Sequence, residues 1–221
     1  MSSIRLLHAY WRERYPLRIF LPFTILIAAA GIAAEGSLPT IRAAAIGCIL
    51  AYTLVLVFRI ADDLVDLDND RLHHPVRVLV QASSVTSIVV FAFVIAIGDI
   101  TIITWQPRPG FRLATLGSIS LFLGLWYYLR ARLHLSPLVS AHGVLIKYPV
   151  ISLLTCASWD RLTLNTVLPS FGALYLGLCI YEQLHDRTIR LSRGSAWIFA
   201  AEVMLLVGLP LLMISTGGLL R

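Results

Sequence analysis

The chain has 221 residues, of which 58% are apolar and 14% are charged, and its mean hydropathy is +0.81. A soluble domain is about 45–50% apolar and about 25% charged, so this composition excludes an ordinary soluble protein. The formal net charge is +6, but the arginines lie at the ends of apolar segments instead of forming the basic stripe of a nucleic-acid-binding protein. We therefore expect a lipid bilayer and no nucleic acid as the surroundings of this chain.

Seven apolar segments are predicted as transmembrane helices, because a helix needs about 20 apolar residues to cross a bilayer. In chain order they cover residues 17–34, 43–58, 78–98, 113–129, 138–157, 162–180 and 196–215. The connections are short, so residues 1–221 are predicted to form a single all-α, polytopic transmembrane domain. The first segment lacks a small-residue cleavage site, and we expect a retained span rather than a cleaved signal peptide.

The arginines predict the orientation, since short cytoplasmic connections of membrane proteins carry an excess of basic residues. If the N-terminus is cytoplasmic, twelve of the seventeen arginines lie in cytoplasmic segments and five lie outside. The connections after the second, fourth and sixth spans then face the cytoplasm together.

The three cysteines, Cys48, Cys156 and Cys179, lie in apolar segments without the spacing of a disulfide framework or a metal motif, and are predicted to be small core residues.

An acidic segment follows the second predicted span. Its members are Asp62, Asp63, Asp66, Asp68 and Asp70, five of the twelve acidic residues in the chain. If the span continues as a helix, three of these carboxylates recur at every fourth position on one face. Like charges at this spacing repel one another, so we expect a bound cation to compensate the charge of this helix face. Mg²⁺ is the expected cation, because it prefers carboxylates, waters and the oxygens of a phosphorylated substrate.

A second, smaller acidic pair follows the sixth predicted span. Glu182 and Asp186 are four residues apart and are predicted to lie on the same side of the membrane as the first segment. Two acidic helix ends facing each other would hold magnesium ions and, through them, a diphosphate, which polarises a leaving group. The alternative is that both acidic segments are solvated loops.

The first acidic segment resembles the first signature of the UbiA superfamily of intramembrane prenyltransferases. That signature is Asn-Asp-x-x-Asp-x-x-x-Asp with an arginine seven residues beyond the last aspartate, where this chain has Arg77. Asp62 stands at the asparagine position, and Val78 replaces the proline that usually follows the arginine. The second family signature, Asp-x-x-x-Asp, is similar to Glu182-x-x-x-Asp186. The resemblance covers roughly residues 15–215. Family members usually have nine helices. With only seven, one side of the bundle would be open to lipid or to a neighbouring subunit.

The resemblance implies a UbiA-like fold and a magnesium-dependent ionisation of an isoprenyl diphosphate at a cytoplasmic mouth. The prenyl group then passes to an aromatic or other lipophilic acceptor. The expected metal ligands are Asp62, Asp63, Asp66, Asp70, Glu182 and Asp186, the expected catalytic residues are Asp63, Asp66, Asp70 and Lys147, and the expected substrate-binding residues are Arg71, Arg77, Arg130, Tyr181 and Arg187. A terpene cyclase of the same superfamily, which needs no acceptor, is the alternative.

Lys147 is the only lysine and lies within the fifth predicted span. A charge at that depth needs a polar cavity or a partner, and two alternatives stay open: a diphosphate contact, or an ion pair with Glu202. His142 is expected to be a hydrogen-bonded histidine between helices. Six aromatic residues are available as walls for a carbocation, and most of them are expected to be interfacial residues instead: Trp126, Tyr127, Tyr128, Tyr148, Tyr175 and Tyr181.

Two other function classes are compatible with clustered acids in a membrane protein. CDP-alcohol phosphotransferases are disfavoured, because their signature has glycine directly after the second aspartate, where this chain has Leu67. A non-enzymatic cation-binding protein would distribute acids within its spans. Here every acid except Glu202 is expected near a helix end.

Overall fold

The computed structural model describes residues 3–215, with side chains described as far as Leu209. This part of the chain is helical and contains no strand. Its helices are α1 (Ser3–Arg14), α2 (Leu17–Glu35), α3 (Ile41–Val65), α4 (Leu67–His73), α5 (Val78–Gln81), α6 (Thr86–Thr104), α7 (Pro109–Leu133), α8 (Pro137–Leu145), α9 (Lys147–Thr155), α10 (Leu164–His185), α11 (Arg187–Arg190) and α12 (Ser195–Ser215), with a 3₁₀ turn at Trp159–Arg161. The predicted all-α class is confirmed.

Five helical segments of the described chain are long and apolar enough to cross a membrane: α2, α3, α6, α10, and α8 together with α9. They support an integral membrane protein. The predicted fourth and seventh spans lie in α7 and α12, which are not among these five. The described part of α12 with known side chains is apolar but shorter than a span. A total of seven spans therefore stays a prediction.

The third predicted span, residues 78–98, is wrong in its limits. Residues 78–81 form the separate helix α5, and α6 begins only at Thr86 and continues to Thr104. The interruption falls at two serines, where the Ser84 hydroxyl accepts a hydrogen bond from the Thr86 backbone N–H at 3.2 Å, as serine commonly does at a helix start. As a result Asp99 is buried inside α6. The expectation that only Glu202 lies within a span is therefore also wrong.

The fifth predicted span is divided at Ile146 into α8 and α9. Pro149 explains the division, because proline has no N–H to donate to the carbonyl of Leu145, and its ring disfavours continuation of the preceding turn. Lys147 consequently becomes the first residue of α9.

The core of the bundle lies where α2, α3 and α9 pack together. Ile27, Leu50, Ile151 and Leu154 are fully buried there. The helices approach closely at Gly31, where a Cβ atom would lie 2.8 Å from the Ser152 carbonyl oxygen. Small residues at such crossings are typical of helices that associate in membranes.

Helix α1 packs against α5 and α6 at the end of the bundle that carries the acidic segments. Tyr10 and Tyr15 bury almost their entire side chains, and the Tyr15 hydroxyl donates to the Tyr52 carbonyl at 2.7 Å. Glu13 accepts a hydrogen bond from the Val78 backbone N–H at 3.0 Å. The N-terminal segment is therefore a structural part of this end of the molecule.

Candidate functional site

Both acidic segments line one cavity of about 830 Å³. It lies where α3, α7 and α10 end and where α8 begins, so the connections after the second, fourth and sixth predicted spans do lie together. The cavity collects five acidic and five basic side chains: Asp62, Asp63, Asp66, Glu182 and Asp186, and Arg14, Arg59, Arg77, Arg130 and Lys147. The sequence-predicted juxtaposition of the two acidic segments is thus present in the structure.

The first acidic segment keeps a helical register across the end of α3. The Asp66 N–H donates to the Asp62 carbonyl at 3.0 Å, and the Asp70 N–H donates to the Asp66 carbonyl at 2.8 Å. The chain turns at Asp66 and continues as α4. Asp62 and Asp66 therefore face the same cavity, as the four-residue spacing predicts.

Asp63 is the most enclosed carboxylate of the cavity, with 4% of its surface exposed. It accepts hydrogen bonds from the Tyr10 hydroxyl at 2.9 Å and from Arg14 Nε at 3.0 Å, and an Arg59 nitrogen lies 3.5 Å away. Burial lowers the pKa of the Arg14 guanidinium, but its hydrogen bond and attraction to Asp63 outweigh this and raise the pKa above its usual value. Protein cations therefore compensate the charge repulsion within the segment.

Lys147 forms an ion pair with Asp62. The ammonium group is almost completely buried, and the Asp62 carboxylate also accepts a hydrogen bond from the Tyr127 hydroxyl. The expected alternative pairing of Lys147 with Glu202 is wrong, because α8 and α9 separate at Ile146 and direct this lysine to the acidic cavity. The expected contact of Lys147 with a diphosphate stays a prediction.

Asp66 and Asp70 have different surroundings although both pair with an arginine. The Asp66 side chain is 39% exposed and pairs with Arg130 inside the cavity. Asp70 is buried by its ion pair with Arg77 and does not line the cavity, whereas Arg77 does. Asp70 therefore positions Arg77 in this arrangement.

The second acidic segment has no basic partner in the described part of the chain. Glu182 lines the cavity, but its carboxylate makes no hydrogen bond or ion pair with any described residue. One oxygen of Asp186 accepts from the Thr188 N–H and hydroxyl, both at 2.7 Å, and so caps α11. Burial raises the pKa of Asp186, but these hydrogen bonds outweigh it and lower the pKa below its usual value, so the carboxylate stays charged.

Three predicted site residues besides Asp70 lie outside the cavity: Arg71, Tyr181 and Arg187. Arg71 pairs with the exposed Asp68. Tyr181 is 53% exposed and stacks on His185. Their proposed contacts with substrate have no support from their placement.

Several cavity residues were not assigned from the sequence. Arg59 precedes Asp63 by four residues, and this spacing is a signal that could have identified it. Arg14 comes from α1, 49 residues earlier than Asp63, and local spacing contains no such signal. Tyr127 and Tyr148 were among the aromatic candidates of the sequence, and both line the cavity.

No protein-family model matches this chain, and no curated protein or solved structure matches it.

Proposed function

We propose that this chain is a UbiA-like membrane prenyltransferase that ionises an isoprenyl diphosphate with the help of Mg²⁺ and transfers the prenyl group to a lipophilic acceptor. The observation that carries the proposal is the single cavity that joins Asp62, Asp63 and Asp66 to Glu182 and Asp186 at the end of a bundle of apolar helices. In this proposal the bundle has seven spans and its cavity opens to the cytoplasm.

The donor set fits magnesium. Hard divalent cations take oxygen ligands, and the cavity offers carboxylates from two helix ends that face each other. Glu182, which lacks a partner among the described residues, is a ready ligand, and Asp62, Asp63, Asp66 and Asp186 complete the set. Magnesium bound there would supply Lewis-acid stabilisation of the departing diphosphate.

The basic residues of the cavity would bind the diphosphate. Arg77, Arg130 and Lys147 each pair with a carboxylate of the first segment. Binding of a metal by the Asp62 and Asp66 carboxylates would break their ion pairs with Lys147 and Arg130. These two cations would then be free to bind phosphate oxygens. A guanidinium binds two such oxygens at once, which orients the leaving group.

The apolar side of the cavity suits the prenyl group. Val144 and Leu145 line it beside the rings of Tyr127 and Tyr148. Aromatic faces attract a cation through their quadrupole, and an apolar wall limits the access of water to an allylic cation. These features support a carbocation reaction more than simple cation binding.

The test is to incubate the purified full chain in lipid nanodiscs with prenyl diphosphates of several lengths, with Mg²⁺ or with EDTA, and to measure diphosphate release and lipid products by mass spectrometry. Release only with Mg²⁺, and a prenylated product only with an acceptor, supports the proposal. A terpene formed without acceptor identifies the cyclase alternative. No release from any donor, with binding of Mg²⁺ retained, identifies a non-enzymatic cation-binding protein.

A further inference from the structure

A second polar cluster lies inside the bundle, separate from the acidic cavity. It consists of His142 on α8, Cys179 on α10 and Glu202 on α12, whose ligand atoms all lie within 4.8 Å of one another. Cys179 and Glu202 are buried and His142 is half-buried. None of the three lines the acidic cavity, so the proposed prenyl transfer does not use them.

The contacts of the imidazole require a proton or a cation in this cluster. His142 Nδ1 lies 2.7 Å from the Leu138 carbonyl oxygen, which can only accept, so Nδ1 carries a hydrogen. In the neutral ring Nε2 then has a lone pair, yet it faces a Glu202 oxygen at 2.5 Å. A lone pair and a carboxylate oxygen at this distance repel unless a positive centre lies between or beside them.

Hydrogen bonds to neighbouring residues hold His142 and Glu202 in orientations typical of metal ligands. Histidines that bind metals usually donate their second ring N–H to a backbone carbonyl or a carboxylate, as His142 does to Leu138. The other Glu202 oxygen accepts from the Gln183 amide. The Ser195 hydroxyl in turn donates to the side-chain amide oxygen of Gln183 at 3.3 Å.

We propose that His142 Nε2, Cys179 Sγ and a Glu202 carboxylate oxygen bind a borderline-soft divalent transition metal, with zinc as the expected ion. Thiolate and imidazole are ligands for zinc and not for magnesium, so this site is chemically distinct from the acidic cavity. Binding displaces the thiol proton to solvent, because the thiolate is the ligand. The three ligands come from three helices, and the ion would join α8, α10 and α12.

The geometry is compatible with tetrahedral coordination. Zinc bonds of about 2.0–2.3 Å place neighbouring ligand atoms about 3.3–3.8 Å apart. The His142 and Glu202 ligand atoms are 2.5 Å apart, and all three ligand atoms lie within 4.8 Å of one another. Tetrahedral coordination therefore needs side-chain adjustments of about 1 Å. A cleft of about 380 Å³, lined by His142, Trp126 and Tyr175, gives access for a water as the fourth ligand.

The experiment uses the full chain purified in detergent with an affinity tag that contains no histidine. After exposure to Zn²⁺ and removal of free metal, we expect one zinc per chain by mass spectrometry of the elements. Replacement by Co²⁺ should give thiolate-to-cobalt charge-transfer absorption together with the intense visible bands of tetrahedral cobalt. Cys179→Ala and His142→Ala should abolish these bands.

Matched controls separate a ligand from a structural residue. Cys156→Ala also removes a buried free cysteine and should leave the cobalt spectrum unchanged. Gln183→Ala, which removes the support of Glu202, should weaken zinc binding about 10–100-fold. An absent charge-transfer band in the folded wild-type chain, or a band that persists in Cys179→Ala, would overturn the proposal and leave a proton shared by His142 and Glu202.

Discussion

At the scale of single residues, the carboxylates of the first acidic segment differ in how much the fold depends on them. Asp63 is buried and has three partners, whereas Asp66 is 39% exposed and has one ion pair, with Arg130. A partly exposed ion pair such as Asp66–Arg130 contributes little to stability, but removal of a buried partner leaves its donors unsatisfied. The two positions can therefore separate a role in function from a role in folding.

Asp66→Asn should remove most prenyl diphosphate turnover while the melting temperature changes little. The amide keeps the size of the side chain but is a poor magnesium ligand. The matched control is Asp68→Asn, since Asp68 belongs to the same segment but is exposed and lies outside the cavity. Steady-state diphosphate release and thermal unfolding of both variants measure the effect. Equal turnover in the two variants would contradict the role of Asp66.

Asp63→Asn should lower both turnover and stability. The hydrogen bonds from Tyr10 and Arg14 lose their charged acceptor in a buried site, and we expect a loss of about 1–3 kcal/mol. Tyr10→Phe removes only one of these donors and serves as the milder comparison. Denaturant unfolding of the three proteins measures the difference, and an unchanged midpoint for Asp63→Asn would show that these contacts do not contribute to the fold.

At the scale of secondary-structure elements, the geometry of the site depends on helix ends and helix crossings. Asp186 caps α11 and also faces the cavity. Gly143 on α8 lets the Trp126 ring of α7 lie against the backbone, and the Trp126 indole N–H donates to the Ser140 carbonyl at 3.2 Å. This crossing fixes the end of α7, which carries Arg130.

Substitutions of Asp186 can distinguish its role as a helix cap from the role of its negative charge in the cavity. Asp186→Ala should cost about 0.5–2 kcal/mol and abolish turnover, whereas Asp186→Asn keeps a good capping residue and should lose turnover with a smaller loss of stability, that of the charge alone. The folded-state pKa of Asp186 lies below its usual 3.8. Its charge therefore stabilises the fold at all pH values above 3.8, and this stabilisation disappears as the pH falls through the lower, folded-state pKa. Unfolding measured between pH 2 and 7 tests the sign, and a stability advantage over Asp186→Asn that grew toward low pH would contradict it.

Gly143→Ala should destabilise the crossing of α7 and α8. A Cβ atom at this position would lie 2.0 Å from the Trp126 ring, so the bulky indole must move, and overpacking of this kind costs about 1–3 kcal/mol. Gly124→Ala on α7 is the control, since a Cβ atom there meets nothing within 4 Å. Alanine in a helix should stabilise that position by about 0.5–1 kcal/mol. The melting temperatures of the two variants should therefore change in opposite directions.

At the scale of the whole molecule, local patterns predicted the helices and the facing acidic segments, but not the partners of the acids. Hydropathy indicates a helix wherever an apolar run is long, and four-residue spacing places Asp62 and Asp66 on one face. Both signals lie within a few residues. The approach of Arg14 to Asp63 depends on how α1 packs across the end of the bundle, and this tertiary contact has no local signature.

The limits of α6 and the division at Ile146 show a different cause of error. Both depend on residues that interrupt a helix inside an apolar run, the serines before Thr86 and Pro149. A hydropathy average does not register them, although proline and serine are known helix interrupters. Each error concerns a charged residue: the limits 78–98 leave Asp99 outside the third predicted span, and an undivided fifth span places Lys147 within reach of Glu202.

The balance of charge in the cavity leads to a prediction about how ligands bind. Five acidic and five basic residues line it, so its formal charge is zero. Mg²⁺ alone would add positive charge beside five cations, and a diphosphate alone would add negative charge beside five carboxylates. Each ligand reduces the repulsion that the other experiences, and the coupling must be reciprocal.

Mg²⁺ should therefore tighten the binding of a prenyl thiolodiphosphate, an analogue that ionises slowly, by at least about tenfold, and the analogue should tighten Mg²⁺ binding by the same factor. Calorimetric titration of each ligand with and without the other measures both factors. Glu182→Gln should weaken the coupling, because it removes a carboxylate that has no cationic partner among the described residues, whereas Asp68→Asn should leave it unchanged. If the analogue bound equally well in EDTA and in Mg²⁺, the basic residues alone would hold the diphosphate, and the acidic residues of the cavity would serve only to position them.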